Sequence, residues 1–277
     1  MIHQEISIQI PNRGVEEPAK LYSYIIDNTA QIDINRKRPA VIICPGGGYS
    51  HTSDREAEPI ALRMMAGGYH AFVLRYHVAP TTYPVQLLEL AASVKYVREH
   101  AKELNIDENR IVIAGFSAGG HLAGSLAMFW SEDWLSKELN TTKDMIKPDG
   151  CLLCYPVVTS GEFAHRDSFI RVLGDRYDEL LDKLSLEKQV SVNTPPMFVW
   201  HTYTDASVPV ENSLLLVSAL RKFNISTEFH MYPVGKHGLS LATEETMNSD
   251  GRSIQPECEG WIDLAIRWIK NLGGAQQ

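Results

Sequence analysis

The chain has 277 residues, 44% hydrophobic and 22% charged, an ordinary soluble globular composition with enough apolar content for one large α/β domain or two small ones. Its formal charge, 26 − 34 = −8, argues against nucleic acid or an anionic membrane surface as the main partner. No window approaches the length of a membrane span, and Met1-Ile2-His3-Gln4-Glu5 lacks the basic and apolar regions of a signal peptide, so a cytoplasmic location is expected.

In chain order, Glu5-Ile6-Ser7-Ile8-Gln9-Ile10 alternates apolar and polar residues, the period of a half-exposed strand. Pro11-Asn12-Arg13-Gly14 reads as a turn, and residues 19–26 as the returning arm of an antiparallel hairpin at a sheet edge. From there the runs become continuously apolar, as in strands covered on both faces: 40–44, 71–76 and the run from Ile111 to Ala114. Residues 151–156, 197–201 and 227–232 complete the set. Helical patterns fall between them at 56–66, 85–104, 121–130, 210–223 and 260–272. Such alternation predicts βαβ units: a mostly parallel central sheet with helices on both faces. No repeat or linker divides the chain, so residues 1–277 are expected to form a single domain. The long polar interval 157–195 interrupts the alternation. It holds Glu162-Phe163-Ala164-His165-Arg166-Asp167 and a helical-looking 177–186, and is read as a small partial cap over a site. Of the four cysteines, Cys151 and Cys154 form a C-x-x-C within a strand, where residues three apart face opposite ways and suit neither a redox pair nor a shared metal.

The chemistry is concentrated where the Ile111 run ends. Gly115-Phe116-Ser117-Ala118-Gly119 is a G-x-S-x-G nucleophile elbow placed between a strand and a helix. At such a corner the serine is held in a strained conformation, side chains two residues before and after it would collide, and the helix N-terminus faces the reacting group. An activated serine needs a base and a group to orient that base. Among ten histidines, His237 lies in the glycine-flanked loop Pro233-Val234-Gly235-Lys236-His237-Gly238 after the strand 227–232. Asp205 lies in the loop after the strand 197–201. Each is at a strand's carboxyl end, and the order Ser117, Asp205, His237 is that of α/β-hydrolases. Cys44-Pro45-Gly46-Gly47-Gly48-Tyr49 follows the strand 40–44, where consecutive glycines let backbone N–H groups approach a substrate carbonyl. Gly47 and Gly48 are assigned as oxyanion-hole donors together with Ala118, Gly46 being the alternative. No G-K-[S/T] follows, so a phosphate loop is not supported. No His, Cys or carboxylate cluster has metal-ligand spacing, and neither metal nor cofactor is expected.

These motifs together resemble the α/β-hydrolase superfamily, in its small bacterial esterase/lipase branch of acetyl-esterase, or acetyl-xylan-esterase-like, sugar-ester hydrolases. The resemblance rests on the glycine loop, Arg55-Glu56-Ala57-Glu58-Pro59, the elbow with Gly120 and His121, Thr194-Pro195-Pro196 leading to Asp205, and His237-Gly238-Leu239. Pro45 departs from the histidine of the HGGG-type lipase loop. The resemblance implies a serine carboxylesterase acting on short-chain esters, acetyl groups on sugars among them. The rival readings are an amidase, formamidase or peptidase on the same fold, or a non-catalytic ligand receptor. The expected partner is a small-molecule ester; a homodimer is left open. His121 is read as a packing or capping residue, and His51, Asp54 and Arg55 as candidates to line a substrate pocket. Trp130 and Trp134 are expected to bury against the cap or a second subunit, and His165-Arg166-Asp167 to be a solvated charge cluster.

Overall fold

The computed structural model describes residues 1–11, 13–251 and 253–273; Asn12 of the predicted turn lies outside them. All eight of the described strands join one sheet in the order β1-β2-β4-β3-β5-β6-β7-β8. The edge hairpin pairs β1 (Ile2–Ile8) with β2 (Ala19–Ile25), and β2 runs antiparallel to β4 (His70–Arg75). Every other pairing is parallel, through β3 (Arg38–Cys44), β5 (Ile106–Phe116), β6 (Gly150–Cys154), β7 (Met197–Thr202) and β8 (Thr227–Tyr232).

The continuous apolar runs have the cause read from them: both sheet faces are covered. In β3 every residue is buried, and its side chains alternate between two cores. Ile42 and Cys44 pack with α2 (Val85–Glu99) and α3 (Ala118–Phe129); Val41 and Ile43 pack with α1 (Glu58–Ala66) and the C-terminal helix Trp261–Asn271. Cys151 and Cys154 fall into different cores, as the strand period requires, and the four cysteines are all buried and unpaired. This is the α/β-hydrolase architecture the sequence implied.

Two of the boundaries that differ from those predicted flank the start of β5. The helix expected over 85–104 ends at Glu99; residues 100–104 tighten into turns, and Asn105 takes a left-handed φ of 54° before β5. That strand begins at Ile106 rather than Ile111. Its polar stretch Asp107-Glu108-Asn109-Arg110 leaves the ladder, and the pairing with β3 shifts register between Arg38 and Ala40.

Between α3 and β6 lie two short helices that the pattern did not reveal, α4 (Asp133–Glu138) and α5 (Lys143–Ile146). The interval after β6 holds α6 (Arg166–Leu173) and α7 (Tyr177–Leu180), the latter covering only the start of the predicted 177–186. After β7 comes α8 (Glu211–Lys222), and Trp261–Asn271 is α9. The 157–195 interval is tied down at several points. Leu184 O accepts from His121 Nε2 (2.9 Å), Val172 O from Tyr83 N (2.7 Å), and Asn193 O from Trp130 Nε1 (2.9 Å).

Candidate active site

Strand order decides which loops meet. β3 and β5 are neighbours, so the glycine loop and the elbow emerge side by side; β7 and β8 are neighbours, so the loops of Asp205 and His237 do too. At the elbow Ser117 has φ 52° and ψ −117°, a left-handed conformation costing about 1–3 kcal/mol for a non-glycine residue. The end of β6 and the segment after it hold it there: Ser117 N donates to Cys154 O (3.0 Å), and Ser117 O accepts from Val157 N (3.1 Å). The flanking glycines have the predicted steric role. A Cβ on Gly115 would stand 2.2 Å from Gly119 O, and one on Gly119 would stand 2.1 Å from Cys44 O.

The three residues singled out from widely separated loops converge. His237 Nε2 is 2.7 Å from Ser117 Oγ, and His237 Nδ1 is 2.6 Å from Asp205 Oδ2. A carboxylate can only accept, so Nδ1 carries the proton and Nε2 is left to accept from the serine hydroxyl. Asp205 is 5% exposed. Burial works to raise its carboxyl, but hydrogen bonds from His201 and His237 and the backbone N–H of Val208 outweigh it and hold the group well below the usual carboxylate range. Its Oδ1 accepts from Ser207 N and Val208 N, each at 2.9 Å.

His201, at the end of β7, was not singled out as a site residue from the sequence. It is fully buried, with Nδ1 on Ser213 Oγ (2.8 Å) and Nε2 shared between Val208 O (2.9 Å) and Asp205 Oδ2 (3.3 Å). An imidazole four residues before the acid, on a buried strand end, was the only available signal.

The glycine loop lies against the elbow. Gly47 and Gly48 have φ of 128° and 61°, and their N–H groups have no acceptor among the described residues. Ala118 opens α3, where a backbone N–H has no intrahelical partner. Gly46, the alternative donor, is excluded: its N–H is committed to Glu56 Oε2 at 2.8 Å. From the other side Arg171 Nη1 donates to Gly48 O (3.2 Å), and the His165 ring lies within 4.0 Å of where a Gly48 Cβ would be.

Several subsidiary expectations are corrected. Asp54 pairs with Arg75 (2.7 Å) on the surface, and Arg55 donates to Gly238 O (2.8 Å) and Thr246 O (2.6 Å), so both act as ties rather than pocket lining; His51 is exposed and sits against Ser50 Oγ (3.0 Å). In His165-Arg166-Asp167, Arg166 and Asp167 are exposed on the first turn of α6, as a solvated cluster requires, while half-buried His165 precedes the helix beside Ser168 Oγ (2.8 Å); Arg166 ties back to Ser160 O and Gly161 O. Trp130 buries against the 157–195 interval as expected, while Trp134 is half-buried beside Tyr83 and Lys183.

His121 is the packing residue it was read as, buried between Tyr49 OH and Leu184 O, each at 2.9 Å. Burial pushes it down to about 4, and burial together with the Arg38 charge does the same to His70. In the unfolded chain both return to roughly 6.5. Between those values the unfolded state binds more protons, so the stability each contributes is complete above about pH 6.5 and is lost as pH falls toward 4. The unfolding free energy is therefore expected to drop between pH 7 and pH 4.5, by up to about 1.4 kcal/mol per pH unit for each histidine, and the denaturant midpoint with it. Asp205, held low, adds its own loss only below about pH 4. A midpoint that stays level across this range would contradict two buried neutral imidazoles.

Comparison with known proteins places the fold in a family. Residues 30–220 match the model of the family described as BD-FAE. The chain is 41% identical over 216 residues to endo-1,4-beta-xylanase B of Butyrivibrio fibrisolvens, an alignment covering 76% of this chain but only 34% of that protein. It therefore spans about a third of that relative's length. Among solved structures, an acetyl ester-xyloside bifunctional hydrolase from Caldicellulosiruptor lactoaceticus is 37% identical with a TM-score of 0.80, covering 98% of this chain and 96% of that one. The carboxylesterase Cest-2923 from Lactobacillus plantarum WCFS1 is 29% identical with a TM-score of 0.86, covering 99% and 98%. With a sheet of the same class, the elbow at its centre and a family match over more than half its length, this chain belongs to the BD-FAE family.

Proposed function

We propose that the protein is a serine carboxylesterase that hydrolyses short-chain, chiefly acetyl, esters of sugars. The observation that carries this reading is the unbroken line from Ser117 Oγ through His237 to Asp205, with separations of 2.7 and 2.6 Å. In this reading Ser117 attacks the ester carbonyl while His237 Nε2 takes its proton. Asp205 keeps the ring in the required tautomer and stabilises the imidazolium as it forms. The oxyanion is met by the N–H groups of Gly47, Gly48 and Ala118, each such donor typically contributing roughly 3–4 kcal/mol to the transition state. The imidazolium returns its proton to the leaving alcohol, and water, activated by the same histidine, releases acetate from the acyl-enzyme.

The 157–195 interval serves here as a partial cap on a single domain, placing His165 and Arg171 over the glycine loop. The acetyl and sugar assignments draw on the relatives' names, the acetyl ester-xyloside hydrolase above all. Among the described residues no helix is long and apolar enough to cross a membrane. A cytoplasmic setting is part of the reading, supported by four thiols that are buried and unpaired.

Acyl-chain profiling on p-nitrophenyl esters, followed by acetylated xylo-oligosaccharides and matched acetyl amides, tests the proposal. The expected order is acetyl above longer acyl groups and ester well above amide, with acetate released from the oligosaccharide. Preference for the amide would instead establish the amidase reading.

A further inference from the structure

Arg55 and Glu56, on the 3-10 turn Asp54–Glu56, stand where the oxyanion loop and the histidine loop meet. Glu56 is 4% exposed and its two oxygens are divided between two donors: Oε2 accepts from Gly46 N (2.8 Å) and Oε1 from Tyr155 OH (2.6 Å). Tyr155 in turn faces the base. Its ring lies edge-on to the His237 imidazole, with centroids 5.1 Å apart at 72°, and its hydroxyl oxygen accepts from Ser240 N (2.9 Å). Arg55 reaches the same loop through Gly238 O, and its own carbonyl accepts from Ser240 Oγ (2.5 Å). A buried carboxylate is costly unless its oxygens are hydrogen-bonded, so a surface turn that sends one inward to these partners is not a neutral packing choice.

Three details make the link directional. Gly46 has no slack, since a Cβ there would stand 2.7 Å from Glu56 Oε2, 2.8 Å from Phe116 O and 3.0 Å from Ser117 Cβ. The loop is thus wedged between Glu56 and the elbow, with the Gly46 N–H held immediately before the next two glycines. Tyr155 has a left-handed φ of 38°, a strained conformation for an aromatic residue, maintained with Tyr155 N on Trp200 O (2.8 Å). Burial, with the nearby carboxylate, pushes the Tyr155 hydroxyl well above its ordinary value, so it remains a donor.

We propose that Glu56, acting with Tyr155, is a positioning residue that locks the oxyanion loop and the His237 loop into one register, so that the donors and the base are aligned on the same carbonyl. This rests on the serine esterase reading above. Neither residue touches the substrate; each acts through Gly46 or His237. The expected signature is a loss in kcat with KM preserved, because misplacing catalytic groups by a fraction of an ångström to an ångström costs about tenfold to 10²-fold in rate.

The experiment is steady-state hydrolysis of p-nitrophenyl acetate by the full chain, with melting followed on every variant. Glu56→Ala should lower kcat about 100-fold and Tyr155→Phe about tenfold, each with KM within about threefold of wild type. Glu56→Gln, which keeps one acceptor, should fall between Glu56→Ala and wild type. The Glu56→Ala/Tyr155→Phe double variant should be no slower than Glu56→Ala alone, since both remove the same link. Should Glu56→Ala fail to fold, Tyr155→Phe and Glu56→Gln decide the matter by the same kcat criterion. Wild-type kcat in those two, losses confined to KM, or fully multiplicative losses in the double variant would each overturn the proposal. Ser117→Ala separates the two readings: if it retains turnover, the esterase mechanism is wrong; if it is inactive while Glu56 and Tyr155 variants run at wild-type kcat, only the positioning role is.

Discussion

Ser117→Ala is expected to reduce turnover of p-nitrophenyl acetate by a factor on the order of 10⁵ or more while leaving the fold intact. The loss is large because the hydroxyl bonded to His237 Nε2 is the group that forms the covalent acyl intermediate in the proposed mechanism; the oxyanion donors that remain can speed attack by water only modestly. The fold should survive because the hydroxyl's partner is the His237 ring, and the backbone bonds of residue 117 to Cys154 and Val157 do not involve the side chain. Alanine tolerates a φ of 52° about as poorly as serine, so the strain is unchanged. Kinetics beside a thermal melt check both halves. Turnover within tenfold of wild type would remove the nucleophile from the mechanism, and a lost melting transition would show that the hydroxyl is structural.

The largest effect on stability is expected from Gly119→Ala. The added methyl would stand 2.1 Å from Cys44 O and 2.4 Å from Pro45 O, both backbone atoms where β3 passes into the glycine loop. Neither can retreat, since β3 is hydrogen-bonded to β4 on one side and β5 on the other. A destabilisation of about 3 kcal/mol or more follows, at the upper end for inserting a single methyl, and with it loss of soluble expression or a sharply lowered denaturation midpoint. Gly124→Ala on the same helix is the contrasting case. Its methyl would meet Leu186 Cδ1 at 2.6 Å, the end of a side chain that can rotate away, and a much smaller loss is expected. Equal midpoints for the two variants would mean that the elbow is not packed this tightly.

What could be read in advance was whatever is local or ordered along the chain. Continuous apolar runs such as Ala40-Val41-Ile42-Ile43-Cys44 announce strands covered on both faces, and strands of that kind fix where their carboxyl ends lie. Ser117 and Asp205 were legible because each lies just beyond such a run, and His237 because it lies in a glycine-flanked loop after the strand 227–232, the three in a characteristic order. Glu56 was not read as a site residue because its meaning lies in a partner 99 residues away, and nothing local distinguishes it from a surface glutamate. The same absence of a local cue left Gly46 open as an oxyanion donor until its bond to Glu56 was seen. α6 was hidden for a different reason. Its first turn, Arg166-Asp167, is charged, and the apolar face of Phe169, Val172 and Leu173 appears only once the segment is wound on the helical period. The overlong helix at 85–104 came from good helix formers beyond Glu99 that tertiary contacts turn aside into β5.

The position of β8 bears on when this protein can first act. It is an edge strand and the last of the described strands in chain order, and the loop that follows it carries the imidazole. A nascent chain that has laid down everything up to α8 already owns its hydroxyl and its carboxylate, yet it has nothing to shuttle a proton. In the esterase reading such a polypeptide stays silent toward esters until the loop after β8 has been made, so recovery of hydrolysis during refolding marks the docking of that border of the sheet.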